Sequence, residues 1–243
     1  LKHHLDGFQN DKKNFSTGDW LKLANQKILQ CRKLNKTPIL VGGTGLYFKA
    51  LTDGLVNIQK IPINFRNKVR NLHKRIGQKK FFQKLLQVDP LIKDQINSLD
   101  VQRSLRAYEI KSFTKKSMIS WFKNTKSDYD HNDFYKICID FPRKDLLDRI
   151  NKRSENMIKL GAILEVKKFI KLRVPKNKSL SKAIGISEIK QYLQKKIQTE
   201  QLIEKISIKT RQYAKRQSTW ARGHMKDWNK VNPAGLEKLL KKI

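Results

Sequence analysis

At 243 residues, 38% of them hydrophobic, the chain can bury the core of one large domain or two small ones, and its 54 basic against 21 acidic residues leave a formal charge of +33. Such a charge suits a polyanionic partner and is far from the balanced surface of a typical enzyme, although lysine is also spread everywhere, often beside Asn and Ile, as an AT-rich coding bias produces. Cys31 and Cys138 have no neighbouring Cys or His at ligand spacing, which argues against structural zinc and a disulfide framework, and no long uncharged apolar run argues for a membrane.

The chain does not begin with Met, and Leu1-Lys2-His3-His4 reads as mid-protein sequence, so an upstream segment is expected. Ser16-Thr17-Gly18-Asp19 has the form of a capping box, followed at helical spacing by Trp20, Leu21, Ala24, Ile28 and Leu29. Pro38-Ile39-Leu40-Val41 is a continuous apolar run, the mark of a strand buried on both faces. Gly42-Gly43-Thr44-Gly45 breaks it, and Leu46 to Leu51 is helical again. Helix, buried strand, glycine turn and helix predict an α/β fold with a parallel sheet, whose ligands sit at the carboxyl ends of the strands, where Gly42 to Thr44 fall. From Ile61 to about Asp130 the pattern is helical and charged, punctuated by Pro62 and Asp89-Pro90. Tyr135 to Phe141 alternates as a returning strand, and Asp145 to Leu172 reads as one amphipathic helix through Leu146, Ile150, Met157, Leu160, Ile163, Val166 and Ile170. A glycine-punctuated segment around Lys182 to Ser187 leads into the final helices. The division is therefore an α/β core with C-terminal helices over 1–60 and 132–243, and a helical insertion over 61–131.

Four stretches carry candidate chemistry. Residues 211–222 read Arg-Gln-Tyr-Ala-Lys-Arg-Gln-Ser-Thr-Trp-Ala-Arg, without one acidic residue. On a helix, Arg211, Lys215, Ser218 and Arg222 share one face, while Tyr213, Gln217 and Trp220 continue the apolar row from Ile206 on another. One face docks on a core, the other holds a phosphate backbone, and the glutamines reach base edges; a solvated basic helix is the alternative. Gly42 to Tyr47 allows close backbone approach to a ligand, with the Thr44 hydroxyl placed to meet a phosphate or base; a tight strand-to-helix turn is the alternative. Gln102 and Arg106 lie four residues apart on a helix face with Arg103 at its flank, fit to grip backbone and base edges or simply to face solvent. Arg153, near Asp148 and Glu155, offers a planar fork for two phosphate oxygens, or a surface ion pair.

These stretches also resemble a family. Ala214 to Trp220 is similar to the Ala-Lys-Arg-Gln-x-Thr-Trp signature of the tRNA dimethylallyltransferases, also called tRNA isopentenyltransferases. Val41 to Tyr47 resembles their Val-Gly-Gly-Thr-Gly-Leu-Tyr residue for residue, and Asp100 to Glu109 their Asp-x-Gln-Arg-x-x-Arg-Ala-Leu-Glu, with Tyr108 replacing the leucine. Arg149-Ile150-x-x-Arg153, with Met157 and Gly161, resembles a further helix motif, and His3-His4-Leu5 a Pro-His-His-Leu segment with Lys2 in the proline's place. Two departures stand out: the family's Gly-Tyr-x-Glu is here Gly185-Ile186-Ser187-Glu188, and its Thr-Gly pair is Thr114-Lys115.

The resemblance implies a P-loop-NTPase-like parallel-sheet core, of which this chain is the C-terminal four-fifths, with the phosphate-binding loop and general-base aspartate upstream of Leu1. It implies transfer of a dimethylallyl group from dimethylallyl diphosphate to N6 of the adenosine 3'-adjacent to the tRNA anticodon, with Mg²⁺ bridging phosphate oxygens. Thr44 then orients the acceptor and Arg153 faces the diphosphate, with His3 on the same side. The tRNA anticodon stem-loop is held by Thr44, Arg66, Gln102, Arg103, Ser104, Leu105 and Arg106, and by Lys215, Arg216, Gln217, Ser218, Thr219, Trp220 and Arg222. A cytoplasmic monomer, away from membranes, is expected, and this portion alone is expected to transfer little. Two other readings stay open: a transferase acting on free adenine nucleotide, which has no need of the insertion or the basic helix, and a non-catalytic RNA-binding protein, which has no use for Gly42 to Tyr47.

Overall fold

In the computed structural model, which describes residues 3–5, 15–123, 125–175 and 178–241, Ser16 opens the first helix with a complete capping box. Its hydroxyl accepts the Asp19 N–H at 3.2 Å, and the Asp19 carboxylate accepts the Ser16 N–H at 2.9 Å. The hydrogen bonds from Ser16 hold the Asp19 carboxyl below its ordinary range. The helix, α1 (Thr17–Lys33), buries Ala24 and Ile28. After it come α2 (Gly45–Thr52), α3 (Ile63–Val88), α4 (Val101–Thr114) and α5 (Met118–Phe122), then β1 (Ile137–Ile139), α6 (Arg143–Lys159), α7 (Ala162–Lys171), α8 (Ile186–Leu193), α9 (Thr199–His224), β2 (Asn229–Val231) and α10 (Pro233–Leu240). The chain divides into two compact units, Leu1–Lys49 with His131–Ile243, and Ala50–Asp130.

The first unit is α/β. Its sheet pairs β1 with β2 in parallel, Cys138 opposite Lys230, so the expected class is observed. Lys136 and His131 both reach Asp227 Oδ2, at 3.1 and 3.2 Å, and fasten the turn before β2 to the segment before β1. The Lys136 ammonium holds the Asp227 carboxyl below its usual range. A core of Val166, Ile186, Ile189, Leu202 and Ile206 joins α7, α8 and α9, and α6 lies against α9.

Three sequence expectations change here. Pro38–Val41 is not a strand: Ile39 and Val41 are 72% and 91% exposed, because no neighbouring strand among the described residues offers ladder partners for their backbone. The returning strand is confined to Ile137–Ile139; Phe141 instead receives the Arg149 guanidinium over its ring at 5.0 Å. The long helix over 145–172 is two helices, since Gly161 adopts φ +100°, a left-handed conformation that ends α6 and starts α7.

The second unit is helical. Ile61, Phe82, Leu85, Ile92, Ile96, Ala107, Ile110 and Met118 form its core, with α3 packed on α4. Gly77 interrupts α3 at φ +75°. Gln78, just beyond the break, donates to the Ser98 carbonyl at 2.6 Å and to the Ser104 hydroxyl at 3.1 Å. α4 begins on Asp100, whose carboxylate accepts the Arg103 N–H at 3.0 Å, and ends on Lys115 at φ +61°.

Candidate active site

The amino-terminal half of α9 is core: Leu202, Ile206 and Ser207 are buried. Past Thr210 the helix leaves that core and keeps its row of cations, with Lys215, Arg216, Ser218, Thr219 and Arg222 all exposed. The apolar row does not run on unbroken. Tyr213 is exposed, with the Arg216 guanidinium over its ring at 5.6 Å. One turn later α9 meets the glycine loop.

Gln217 Nε2 donates to the Gly43 carbonyl at 2.9 Å. A Cβ on Gly43 would collide with that same amide, and a Cβ on Gly45 would lie inside the Trp220 indole, 2.8 Å from Cδ2. Gly42 has ordinary space, its nearest neighbour being Phe48 at 3.8 Å. The glycines at 43 and 45 therefore let α9 approach the loop, and the side chains they accommodate belong to the protein itself. Gln217, expected on a base edge, gives one of its amide N–H groups to the loop. Trp220 stacks on His224 at 4.4 Å with its plane tilted by 9°. Beyond the loop, Tyr47 stacks on Trp20 at 4.6 Å and Phe48 meets Trp228 edge-on at 5.5 Å. Thr44, in the middle of this frame, is exposed, and its carbonyl accepts the Tyr47 N–H at 2.9 Å. Its hydroxyl is thus carried on a braced turn beside a cationic helix.

Arg153 is exposed on α6, one residue before buried Ser154, which faces inward and donates to the Ile150 carbonyl at 2.9 Å. His3 is exposed in the short described stretch 3–5. In the second unit, Gln102 and Arg103 are exposed on α4, and Arg103 Nε stands 3.5 Å from Asp100 Oδ2. Leu105 is half-buried. Ser104 is fully buried, donating to the Asp100 carbonyl at 2.7 Å and accepting from Gln78. Arg66 and Arg106 converge on the buried Glu109 carboxylate, a meeting that sequence spacing leaves unread because Arg66 lies on another helix.

The departure at Gly185-Ile186-Ser187-Glu188 is structural. Ile186 is buried in the α7–α8–α9 core, and Glu188 closes onto α9 through Lys209. Among the described residues no group of three or more His, Cys, Asp or Glu is placed to hold a metal ion, and no helix is long and apolar enough to cross a membrane.

Residues 1–224 match the family model described as IPP transferase. The chain is 54% identical over 243 residues to a tRNA dimethylallyltransferase of Pelagibacter ubique, spanning all of this chain and 78% of that protein. The chain belongs to the IPP transferase family. A second IPP transferase relative, the tRNA dimethylallyltransferase of Rickettsia massiliae, is 40% identical over 93% of this chain and 63% of its own length. The crystal structure of a tRNA isopentenylpyrophosphate transferase from Bacillus halodurans superposes with a TM-score of 0.61 at 27% identity, over 96% of this chain and 72% of that one. A eukaryotic dimethylallyltransferase acting on tRNA shares the fold with a TM-score of 0.73 at 22% identity, over 90% of this chain and 57% of that one.

Proposed function

We propose that this IPP transferase chain transfers a dimethylallyl group from dimethylallyl diphosphate to N6 of the adenosine 3'-adjacent to the tRNA anticodon. The observation that supports the reading best is the junction of loop and helix. Gln217 and Trp220 dock α9 on Gly43 and Gly45, the neighbours of Thr44, and the same helix carries the exposed cations Lys215 and Arg222 on its opposite face and Arg216 on its flank. A braced hydroxyl next to a phosphate-attracting helix suits an enzyme whose acceptor is a base within a polyanion. A free nucleotide needs no such helix, and a passive RNA binder needs no such loop.

In this reading the target adenine leaves its stack and lies against Thr44, which orients it by hydrogen bonding. As N6 attacks the allylic carbon, a C–N bond forms and the C–O bond to diphosphate breaks, with the electron pair passing to the leaving oxygen. N6 gives up a proton to a base supplied from outside these motifs. Charge growing on the diphosphate is met by the Arg153 fork, with His3 assigned to the same side. Arg66, Gln102, Arg103 and Arg106, with Lys215, Arg216 and Arg222, hold the anticodon arm. Mg²⁺ would supply charge neutralisation for the leaving diphosphate; among the described residues no carboxylate cluster fits a metal cage.

The test is label transfer. A chimera in which this chain replaces the matched 78% of the Pelagibacter relative, incubated with labelled dimethylallyl diphosphate and tRNA, should label the adenosine 3' to the anticodon. Replacing that adenosine by guanosine should abolish labelling. A folded chimera that labels free adenine nucleotide but not tRNA would sink the proposal.

A further inference from the structure

We propose that Glu109 is a positioning residue that holds Arg66 and Arg106 together as a clamp for a single RNA phosphate; the proposal rests on the tRNA reading above. All three side chains belong to the helical unit. Arg66 comes from the first turn of α3, while Arg106 and Glu109 lie one turn apart on α4. Glu109 Oε2 accepts from Arg66 Nε at 3.1 Å and stands 3.6 Å from Arg106 Nη1.

Charge balance is the decisive feature of this trio. Glu109 has a side-chain exposure of 2%, so its carboxylate must be compensated to stay buried. One guanidinium would suffice. Two are present, and they keep 36% and 41% of their side chains exposed. The trio therefore presents one positive charge in excess at the surface. Each guanidinium carries several N–H donors, and among the described residues Glu109 is the charged partner of both, so their outer edges remain available to an anion. Because both reach for the same oxygen, one phosphate group can lie against both forks, the geometry that arginine pairs use for phosphate. Tethering to a buried anchor also removes side-chain freedom before the RNA arrives, which lowers the entropic cost of the contact.

A stabilising ion pair with no role toward RNA makes the opposite prediction for one substitution. Glu109→Gln removes a buried negative charge beneath the two arginines, so general electrostatics makes binding of a polyanion tighter. If Glu109 positions the arginines, binding becomes weaker in spite of the gained charge. The experiment measures affinity of the intact chain for a synthetic anticodon stem-loop RNA across a salt series, with folding checked by circular dichroism. Arg66→Ala and Arg106→Ala should each lower the salt slope by about 0.7–0.9, the share of one phosphate, and the double variant should lower it no further. Glu109→Gln should weaken binding several-fold and move the slope toward that of the arginine variants. Unchanged or tighter binding by folded Glu109→Gln, or slopes that fall additively in the double arginine variant, overturns the clamp. Should Glu109→Gln fail to fold, the comparison of single and double arginine variants decides. Absence of RNA binding by the unaltered chain overturns the tRNA reading and the clamp with it, whereas binding with the wrong slopes overturns the clamp alone.

Discussion

Gly45→Ala tests the junction of loop and α9 most sharply. The added methyl would lie against Cε3 and Cζ3 of Trp220, closer than non-bonded carbons sit, so the ring must move. Overpacking of this kind costs about 1–3 kcal/mol. Moving the indole also breaks its stack on His224, a pair worth about 0.5–1.5 kcal/mol. A loss on the order of 1.5–4.5 kcal/mol is therefore expected in urea unfolding followed by far-ultraviolet circular dichroism. The same substitution in a Trp220→Ala background should change sign. Gly45 opens α2 without a left-handed φ, so once the ring is gone the methyl only improves helix propensity and restrains the unfolded chain, by up to about 1 kcal/mol. A double-mutant cycle reads the difference directly. If Gly45→Ala costs the same with and without Trp220, the glycine is not there to admit α9.

Three further outcomes follow from the site and its supports. Thr44→Ala and Arg153→Ala should raise the barrier of the transfer step by about 2.7–4 kcal/mol in single-turnover assays of the chimera while leaving tRNA affinity near its original value; unchanged rates in both would remove them from the site. Ser104→Ala should lose about 1 kcal/mol of stability, through its bonds to Asp100 and Gln78, with no change in the salt slope of RNA binding; a reduced slope would return Ser104 to the interface. Burial alone would raise the Glu188 carboxyl, but hydrogen bonds from Lys209, Ser187 and the Gly185 N–H outweigh it and hold it below its ordinary range. Its contribution is then present at neutral pH and lost as pH falls through the lowered folded value. Glu188→Gln should cost roughly 1.5–3 kcal/mol near neutrality and progressively less in acid, so parallel stability curves for the two proteins would contradict the assignment.

Signals in the sequence are legible where the information is local. The Ser16 capping box, the helix after Gly45 and the helical run after Ile61 each follow from residues a few positions apart, and each is present. Pro38–Val41 misleads because an apolar run states only that it wants burial, while a strand needs a neighbour that the run does not encode. The span 145–172 misleads because its periodicity continues through Leu160 and Ile163, and a single glycine conformation overrides it. At the site, the motifs are visible in the sequence but their relation is not. Gln217 and Gly43 are 174 residues apart, and nothing in either segment announces that the amide serves the loop. The Glu109 anchor is hidden for the same reason, since a glutamate at the end of a motif gives no sign of being buried under an arginine from another helix.

The left-handed Lys115 that ends α4 bears on what the departure from Thr-Gly means. A non-glycine residue in that conformation carries a penalty of about 1–2 kcal/mol; glycine escapes it but costs about 0.4–1 kcal/mol through the greater freedom of the unfolded chain. The Lys115 ammonium also reaches the Ser112 carbonyl at 3.2 Å, occupying an acceptor near the exposed helix end. The difference between the two residues is thus a small fraction of a domain's stability. At this position the backbone asks for the shape of a helix terminus, and Lys115 supplies it.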